Sequence, residues 1–155
     1  FLLSPIPDRA TMQIFNNQDD LCFSFPESWK LDKGESLSDA DSVTVVSPEG
    51  GFWCVRRDLR DTANKAVLEQ AVAAMREVYP ELEVEHVVDH VSGAELIGMD
   101  MHFFCLDLTG TASVRVWQAV TGKYVIFSQA EDGQLEQLKP IFNAITTSLI
   151  RGSEE

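Results

Sequence analysis

The stretch "LCFSFPESWK" (residues 21–30) decides the fold. Apolar residues recur at every second position of residues 21–25, the period that places side chains on one face of a β-strand. Pro26 has no N–H to donate, so the strand ends there or lies at the edge of a sheet. Trp29 follows outside the strand, and we predict that it folds back as a plug over the open end of the core.

The length and composition describe one ordinary globular domain. The chain has 155 residues, of which 45% are apolar, and such a chain buries enough surface to fold without a metal or disulfide staple. No apolar run reaches the roughly 18 residues that a membrane-spanning helix needs. We therefore predict a single domain over residues 1–155, with an irregular lead-in at 1–11, a tail at 151–155 and no membrane span.

The chain is strongly acidic. Its net charge is −13, from 25 acidic and 12 basic residues, whereas a protein that binds a nucleic-acid backbone needs a basic surface. We therefore expect no nucleic-acid partner. The acidity either serves solubility alone or steers a basic partner towards the protein.

The cysteines bear on the compartment. Cys22, Cys54 and Cys105 each lie between aromatic or aliphatic neighbours, and the chain has no C-x-x-C motif. This pattern is typical of buried thiols outside any disulfide, with oxidation of two of the three as the alternative. It favours a reducing, cytoplasmic compartment. Because the chain begins at Phe1 rather than at a methionine, export after signal-peptide cleavage stays open.

The first half of the chain predicts strands followed by one helix. Strands are predicted at residues 11–17, 21–25, 42–48 and 51–59, with an exposed loop at 32–42. Between Asp61 and Tyr79 apolar residues return at steps of three and four, which indicates a helix. Asp61 or Thr62 is placed to cap this helix, and Pro80 ends it.

The second half predicts a strand meander and a final helix. Strands are predicted at residues 81–90, within 93–110, and in a hairpin at 111–130 that turns at Thr121-Gly122. Residues 93–110 hold two strands or one long strand bent at Gly98. An apolar stripe indicates a helix at 134–150, but Pro140 costs a helix interior about 3 kcal/mol. We favour a start near Lys139, with the proline in the first turn, over a bend. These elements predict an α+β domain.

The pattern resembles the PsbP-like superfamily, with the DcrB-like bacterial proteins as the most similar group and the GTPase-binding Mog-type proteins as further members. The resemblance spans residues 12–150 and is carried by F-x-F-P-x-x-W (Phe23, Phe25, Pro26, Trp29), the alanine-rich helix from Ala63 to Tyr79, the meander from Gly93 to Ala130 and the terminal "PIFNAITTSLI". It implies a mostly antiparallel central sheet of six to seven strands flanked by helices, an α/β/α sandwich. It also implies a protein without enzymatic activity, since most members have none.

Catalytic and metal-binding motifs are scarce. The chain has no G-x-S-x-G, no phosphate loop and no G-x-G-x-x-G, and Cys105 and His102 would point to opposite faces of a strand. Asp100 and His102 would share a face about 6.6 Å apart and could flank a metal ion if a third ligand came from a neighbouring strand. Because no third ligand is identified, we favour a polar sheet face, and we predict no enzyme and no cofactor.

Four residues are candidates for binding a partner. Arg56, Arg57 and Arg60 cluster in an otherwise acidic chain, so they either anchor an acidic partner or form local salt bridges. Trp117 lies on a predicted strand, where tryptophan serves an interface or, as we favour, fills the core. The main functional prediction is a non-enzymatic module that binds another macromolecule. The alternative is a small-ligand or metal-binding module with a cleft at the sheet edge near Asp100, His102 and Trp117.

Overall fold

The computed structural model describes residues 12–16, 21–32, 42–58, 60 and 62–152. These residues form nine strands and two helices. In chain order they are β1 (Met12–Asn16), β2 (Cys22–Pro26), β3 (Lys30–Asp32), β4 (Ser42–Val46), β5 (Phe52–Asp58), α1 (Asn64–Val78), β6 (Glu83–Val91), β7 (Ala94–Cys105), β8 (Leu108–Ala119), β9 (Gly122–Glu131) and α2 (Asp132–Gly152).

The central sheet has seven strands in the order β3-β4-β5-β9-β8-β7-β6. Every neighbouring pair is antiparallel, and β1 and β2 form a separate antiparallel hairpin. Consecutive strands β6 to β9 are hairpin neighbours, as the predicted meander requires. The predicted α+β fold with a mostly antiparallel central sheet is confirmed.

Alternate residues of the strands fill two cores on opposite faces of the sheet. One face carries Trp53 and Tyr124 and is covered by α2 and the β1–β2 hairpin, which contributes Phe23 and Phe25. The other face packs against α1 around Val67. The layers are therefore α1, the sheet, and α2 with the small hairpin, which together form a sandwich. None of the described helices has the length and apolarity to cross a membrane.

Trp29 is the predicted plug. Its side chain is buried and meets the ring of Phe142 edge-on, with 5.9 Å between ring centroids. The backbone N–H of Trp29 donates to the carbonyl of Pro26 at 3.0 Å, so a tight turn directly after the strand returns the indole to the core. The prediction made from the proline-terminated strand is confirmed.

The start of the terminal helix differs from the prediction. Helix α2 begins at Asp132 and contains Pro140 in its interior, so the favoured start near Lys139 is wrong. Pro140 is exposed, whereas Leu138 in the same half of the helix is buried. Burying a leucine stabilises by about 1.5–3 kcal/mol, which offsets most of the cost of a proline in a helix.

Other boundaries were resolved by the structure. The N-cap of α1 is Ala63, with no side-chain capping bond, so the predicted cap at Thr62 is wrong; Asp61 lies outside the described residues. Strand β7 is one continuous strand through Gly98. The two ends of the predicted loop at 32–42 belong to strands, Asp32 to β3 and Ser42 to β4. Its remainder, 33–41, lies outside the described residues, as do residues 1–11 and 153–155. The predicted tail overlaps the end of α2, which reaches Gly152.

Candidate functional site

A cleft of about 720 Å³ separates α2 from the β6–β7–β8 side of the sheet. Apolar residues of α2 pack over β5 and β9, while the α2-facing positions of β6, β7 and β8 are largely polar. The charged side chains that line the cleft are Glu85, Asp89, Asp100, Arg115 and Lys139, with His90 and His102 beside them. The sheet residues that line this cleft, which we call its floor, are therefore largely polar.

Arg115 organises this floor. Its side chain is 13% exposed and lies between two carboxylates, with Nε 2.8 Å from Asp89 Oδ2 and Nη2 2.9 Å from Asp100 Oδ1. Its Nη1 donates to two backbone carbonyls, and Ser113 Oγ donates to the same oxygen of Asp100 at 2.8 Å. Charge-assisted bonds of this kind fix both partners. The cleft therefore presents carboxylates whose positions are set before any ligand arrives.

Gly98 makes room for this arginine. It faces Arg115 across the β7–β8 ladder, and a Cβ atom at position 98 would lie 2.7 Å from Arg115 Cδ and 2.0 Å from the carbonyl oxygen of Val114. A side chain at position 98 would collide with both atoms, so this place in the strand requires glycine.

His102 belongs to a second polar chain at the same face. Its Nδ1 lies 3.1 Å from Thr111 Oγ1, which donates to Asp132 Oδ1 at 2.7 Å. Because the hydroxyl gives its one proton to Asp132, it accepts from Nδ1–H of the imidazole. The other nitrogen, Nε2, lies 3.4 Å from Glu85 Oε1 and donates to it when the ring is protonated.

Asp100 and His102 share a face and a cleft, yet they have different partners. Asp100 is bound to Arg115 and Ser113, whereas His102 is bound to Thr111 and Glu85. In the described ranges no group of three or more His, Cys, Asp or Glu side chains is placed to hold a metal ion. The arrangement suits hydrogen bonding to a polar organic group.

The aromatic candidate Trp117 lies in the core. It is 7% exposed and stacks on Tyr124 with 5.3 Å between ring centroids. This is the packing role that the sequence favoured, and it leaves little of the indole to contact a partner.

The three arginines do not form one patch. Arg56 and Arg57 are neighbours on β5 and therefore point to opposite faces of the sheet. Arg57 donates to the carbonyl of Thr121 at 3.0 Å. Arg60 lies beyond the strand with its Nε 3.1 Å from Asp58 Oδ1. Arg60 thus forms a local salt bridge, the second of the two predicted alternatives, whereas the bond of Arg57 goes to a backbone carbonyl.

Asp58 is a buried carboxylate held by this pairing. Its side chain is 1% exposed, and it accepts from both the backbone N–H and the side chain of Arg60. Burial raises the pKa of Asp58, but the hydrogen bonds from Arg60 and the charges of Arg60 and Arg56 outweigh burial and hold the pKa below its ordinary value of 3.8. The ionised carboxylate of Asp58 therefore stabilises the folded state.

The β7–β8 hairpin tip, residues 104–108, carries three exposed apolar side chains. Phe104 is 64% exposed, Leu106 97% and Leu108 52%. Cys105 is also exposed, so the expectation that all three cysteines are buried is wrong, and no disulfide links them. Sequence reasoning missed this site, although the run "FFCLDL" beside a turn was its signal.

The backbone of the hairpin tip is strained. Cys105 pairs with Leu108, which leaves a two-residue turn, and Leu106 in that turn has φ of +58°. A leucine pays about 1–2 kcal/mol for this left-handed conformation, which glycine adopts freely. A small pocket of about 140 Å³ at the base of the tip is lined in part by Phe103, Cys105 and Leu108. Strain and exposure together mark a feature kept for something other than stability.

Several proteins of known structure have a fold similar to that of this chain. No family model matches the sequence, and no curated protein matches it either. The solution structure of the cyanobacterial PsbP protein (CyanoP) from Synechocystis sp. PCC 6803 is similar, with a TM-score of 0.60 at 14% identity over 94% of this chain and 95% of that one. A Pseudomonas aeruginosa protein of unknown function has a TM-score of 0.52 at 9% identity, over 89% of this chain and 95% of that one.

The fold is therefore that of the PsbP-like proteins. A protein from Bacteroides thetaiotaomicron VPI-5482 adds a third example, with a TM-score of 0.55 at 9% identity, and covers 83% of this chain and 44% of its own. Sequence identities this low show a shared fold and say nothing about a shared activity. The function has to be argued from the surfaces of this chain.

Proposed function

We propose that the domain is a non-enzymatic binding module that docks on another protein through its β7–β8 hairpin tip. The observation that carries the proposal is the side chain of Leu106, which is almost fully exposed on a strained turn. Phe104 and Leu108 extend the apolar surface to both faces of the hairpin. Clusters of exposed apolar residues mark interaction sites, whereas single ones do not.

The charge of the chain supports a protein partner rather than a lipid surface or a second copy. The net charge is −13, and Asp107 sits at the apex of the turn. Cytoplasmic leaflets carry a negative surface potential, which repels such a tip. Two tips meeting each other would place Asp107 against Asp107. The partner that fits is a protein with an apolar pocket and a basic rim.

The sequence also supports a location and a set of related proteins for this module. The three cysteines outside disulfides support a cytoplasmic location, with export as the alternative, and the F-x-F-P-x-x-W signature supports kinship with the DcrB-like bacterial proteins. In the cleft, Arg115, Asp100 and His102 hydrogen-bond to their neighbours, which supports a structural role over a catalytic one. The partner is defined by the chemistry of the hairpin tip, and the related proteins do not identify it.

Site-specific photo-crosslinking tests the docking site. We would place a photoreactive side chain at position 106 and, as a matched control, at Val120, the exposed apolar tip of the neighbouring β8–β9 hairpin. A discrete adduct at 106 and none at 120 is expected. The purified adduct partner should then bind Leu106→Asp at least about tenfold more weakly than the wild type, since truncated interface anchors cost 1–2 kcal/mol or more. Equal binding of both proteins would refute the proposal.

A second candidate function is a small-ligand site in the cleft between α2 and the sheet. Its volume of about 720 Å³ lies within the range of ligand pockets, and the carboxylates held by Arg115 supply fixed hydrogen-bond acceptors. A screen of small polar compounds that follows the melting temperature tests it, because a ligand of the folded state raises stability by about 2.7 kcal/mol at a hundredfold excess over Kd.

A further inference from the structure

The outer edge of β6 is a long open template for another strand. β6 pairs with β7 along all nine of its residues and is the last strand of the sheet, so within the described part of the chain no strand pairs with its other side. Proteins usually protect such edges with short strands, prolines, bulges or charged side chains, most often lysine. The opposite edge, β3, has three residues; β6 has neither proline nor lysine, and its register with β7 is unbroken.

The charges along β6 define what can pair with it. Glu83, Glu85 and Asp89 are acidic, and no basic residue other than histidine lies on the strand. Glu85, Val87 and Asp89 face the cleft under α2. A strand added to this edge would place its own side chains directly opposite these residues, about 4.5–5.5 Å away between Cβ atoms. Lysine or arginine at those positions would meet a carboxylate.

Arg115 already shows that this arrangement accepts a guanidinium. It reaches Asp89 from β8, across the intervening strand β7, at 2.8 Å, and the Asp89 side chain remains 44% exposed. Across the cleft mouth, three carboxylates (Glu85, Asp89, Asp100) outnumber the two permanent cations, Arg115 and Lys139. The edge and the cleft beside it therefore form one acidic surface.

A second copy of the chain fits this edge poorly. In the antiparallel register that pairs all nine residues of two β6 strands, symmetry about Val87 places Glu85 opposite Asp89 on both sides. Like charges directly opposite each other destabilise a strand pair. The acidic edge thus disfavours self-pairing and favours a basic strand.

We propose that the β6 edge binds an extended basic segment of a partner protein as an eighth strand, with alternate lysine or arginine side chains lying in the cleft against Glu85 and Asp89. The main-chain hydrogen bonds between the two strands supply affinity, and the carboxylates determine which sequence and register bind. This proposal concerns a different surface from the β7–β8 hairpin tip and does not depend on it.

Synthetic peptides test the proposal with the full chain. The probe is the nine-residue peptide KVKVKVKVK, with two controls: EVEVEVEVE, and the lysine peptide N-methylated at alternate residues, which keeps the charge but blocks one side of the ladder. We expect the unmodified lysine peptide to bind, measured by titration calorimetry, and to slow hydrogen exchange of alternate β6 amides. Absence of binding, or equal binding of the N-methylated peptide, overturns the proposal.

A charge reversal on the protein completes the test. Glu85→Lys should weaken binding of the lysine peptide about fivefold, because it replaces a cross-strand attraction with a repulsion. The matched control is Glu69→Lys, an equally large change of charge at an exposed position of α1 on the other side of the sheet, which should leave Kd within about twofold, since screening weakens distant charges. Equal weakening by both substitutions would show attraction to net charge alone and overturn the proposal.

Discussion

The indole Nε1 of Trp53 donates a hydrogen bond to Oγ1 of Thr146 across 2.9 Å. Trp53 is the second residue of β5 and is fully buried, and Thr146 is a buried residue of α2. The bond joins the sheet to the helix that forms one wall of the cleft. A buried polar contact thus adds to the apolar packing that holds this wall in place.

Thr146→Val should lower the free energy of unfolding by about 1–3 kcal/mol, because the isosteric change leaves the buried indole N–H without its acceptor. Urea denaturation followed by tryptophan fluorescence measures the change. Thr147→Val is the matched control, since Thr147 Oγ1 donates to a carbonyl of its own helix on an exposed face, and it should change stability by less than about 0.5 kcal/mol. Equal losses in the two variants would contradict a role for the Trp53 bond.

Removing the cation under the cleft should be costly. Arg115→Met leaves Asp89 and Asp100 close together without their shared guanidinium, and we expect a loss of about 2–3 kcal/mol, reduced from the fully buried case because Asp89 is partly exposed. Lys139→Met, on the exposed wall of the same cleft, should cost less than about 0.5 kcal/mol.

A double variant separates repulsion from lost packing. If the loss in Arg115→Met comes from stranded carboxylates, adding Asp100→Asn should restore part of it, which a double-mutant cycle measures as a coupling energy. Simple additivity of the two changes would show that the arginine acts through packing of its stem.

Asp58 should make stability depend on pH in the acid range. In the unfolded chain its carboxyl titrates near 3.8, and in the folded protein its pKa is lower. The stabilisation is therefore fully present above the unfolded value and is lost as the pH falls through the lower, folded pKa. Asp58→Asn should flatten the fall of unfolding free energy as the pH drops below the ordinary carboxyl pKa of 3.8.

Arg60→Gln provides the complementary measurement, because it keeps the carboxyl and removes the strongest cause of its lowered pKa. The acid limb of the stability curve should flatten in this variant too. Arg76→Gln removes an arginine that donates to a backbone carbonyl and should retain the wild-type slope. A steep acid limb in Arg60→Gln would show that another carboxylate carries the effect.

The sequence predicted those parts of the fold that follow from periodicity. The two-residue period of residues 21–25 gave a buried strand face, and the three- and four-residue period gave both helices. It failed where tertiary packing overrode local rules: α2 continues through Pro140 with Leu138 buried, and α1 begins at Asn64 with Ala63 as an N-cap that makes no side-chain bond. Local propensities are of the same size as one buried side chain, so packing decides such cases.

The candidate sites depend on pairings that one sequence does not reveal. Asp100 and His102 were correctly placed on one face by alternation, but the partner of Asp100 is Arg115 on the next strand, and this pairing requires the register of β7 and β8. The exposed hairpin tip was missed because Cys105 was judged by its apolar neighbours. Those neighbours, Phe104 and Leu106, are themselves exposed at the turn between β7 and β8.

Pro140 should be dispensable for the helix. It is exposed within α2, and Pro140→Ala restores an N–H that can donate to the carbonyl four residues earlier. We expect a gain of about 2–2.6 kcal/mol in unfolding free energy, which is the helix penalty of proline (about 3 kcal/mol) less the rigidity it gives the unfolded chain (about 0.4–1 kcal/mol). Gln137→Ala, exposed on the same helix, should change stability by less than about 0.5 kcal/mol. A loss of stability in Pro140→Ala would show that the proline shapes α2 for packing.

Leu106→Gly should stabilise the protein while it abolishes docking. Leu106 has positive φ and an almost fully exposed side chain, so glycine relieves about 1–2 kcal/mol of strain against an entropic cost of about 0.5–1 kcal/mol, a net gain near 0.5–1 kcal/mol. Val120→Gly is the matched control: Val120 is equally exposed at a hairpin turn but lacks a positive φ, so glycine should cost stability there. We expect thermal denaturation to show a gain of stability in Leu106→Gly and a loss in Val120→Gly, and partner binding to be lost in Leu106→Gly alone. This result would show that the leucine serves binding at the expense of stability. A loss of stability in both variants would contradict this.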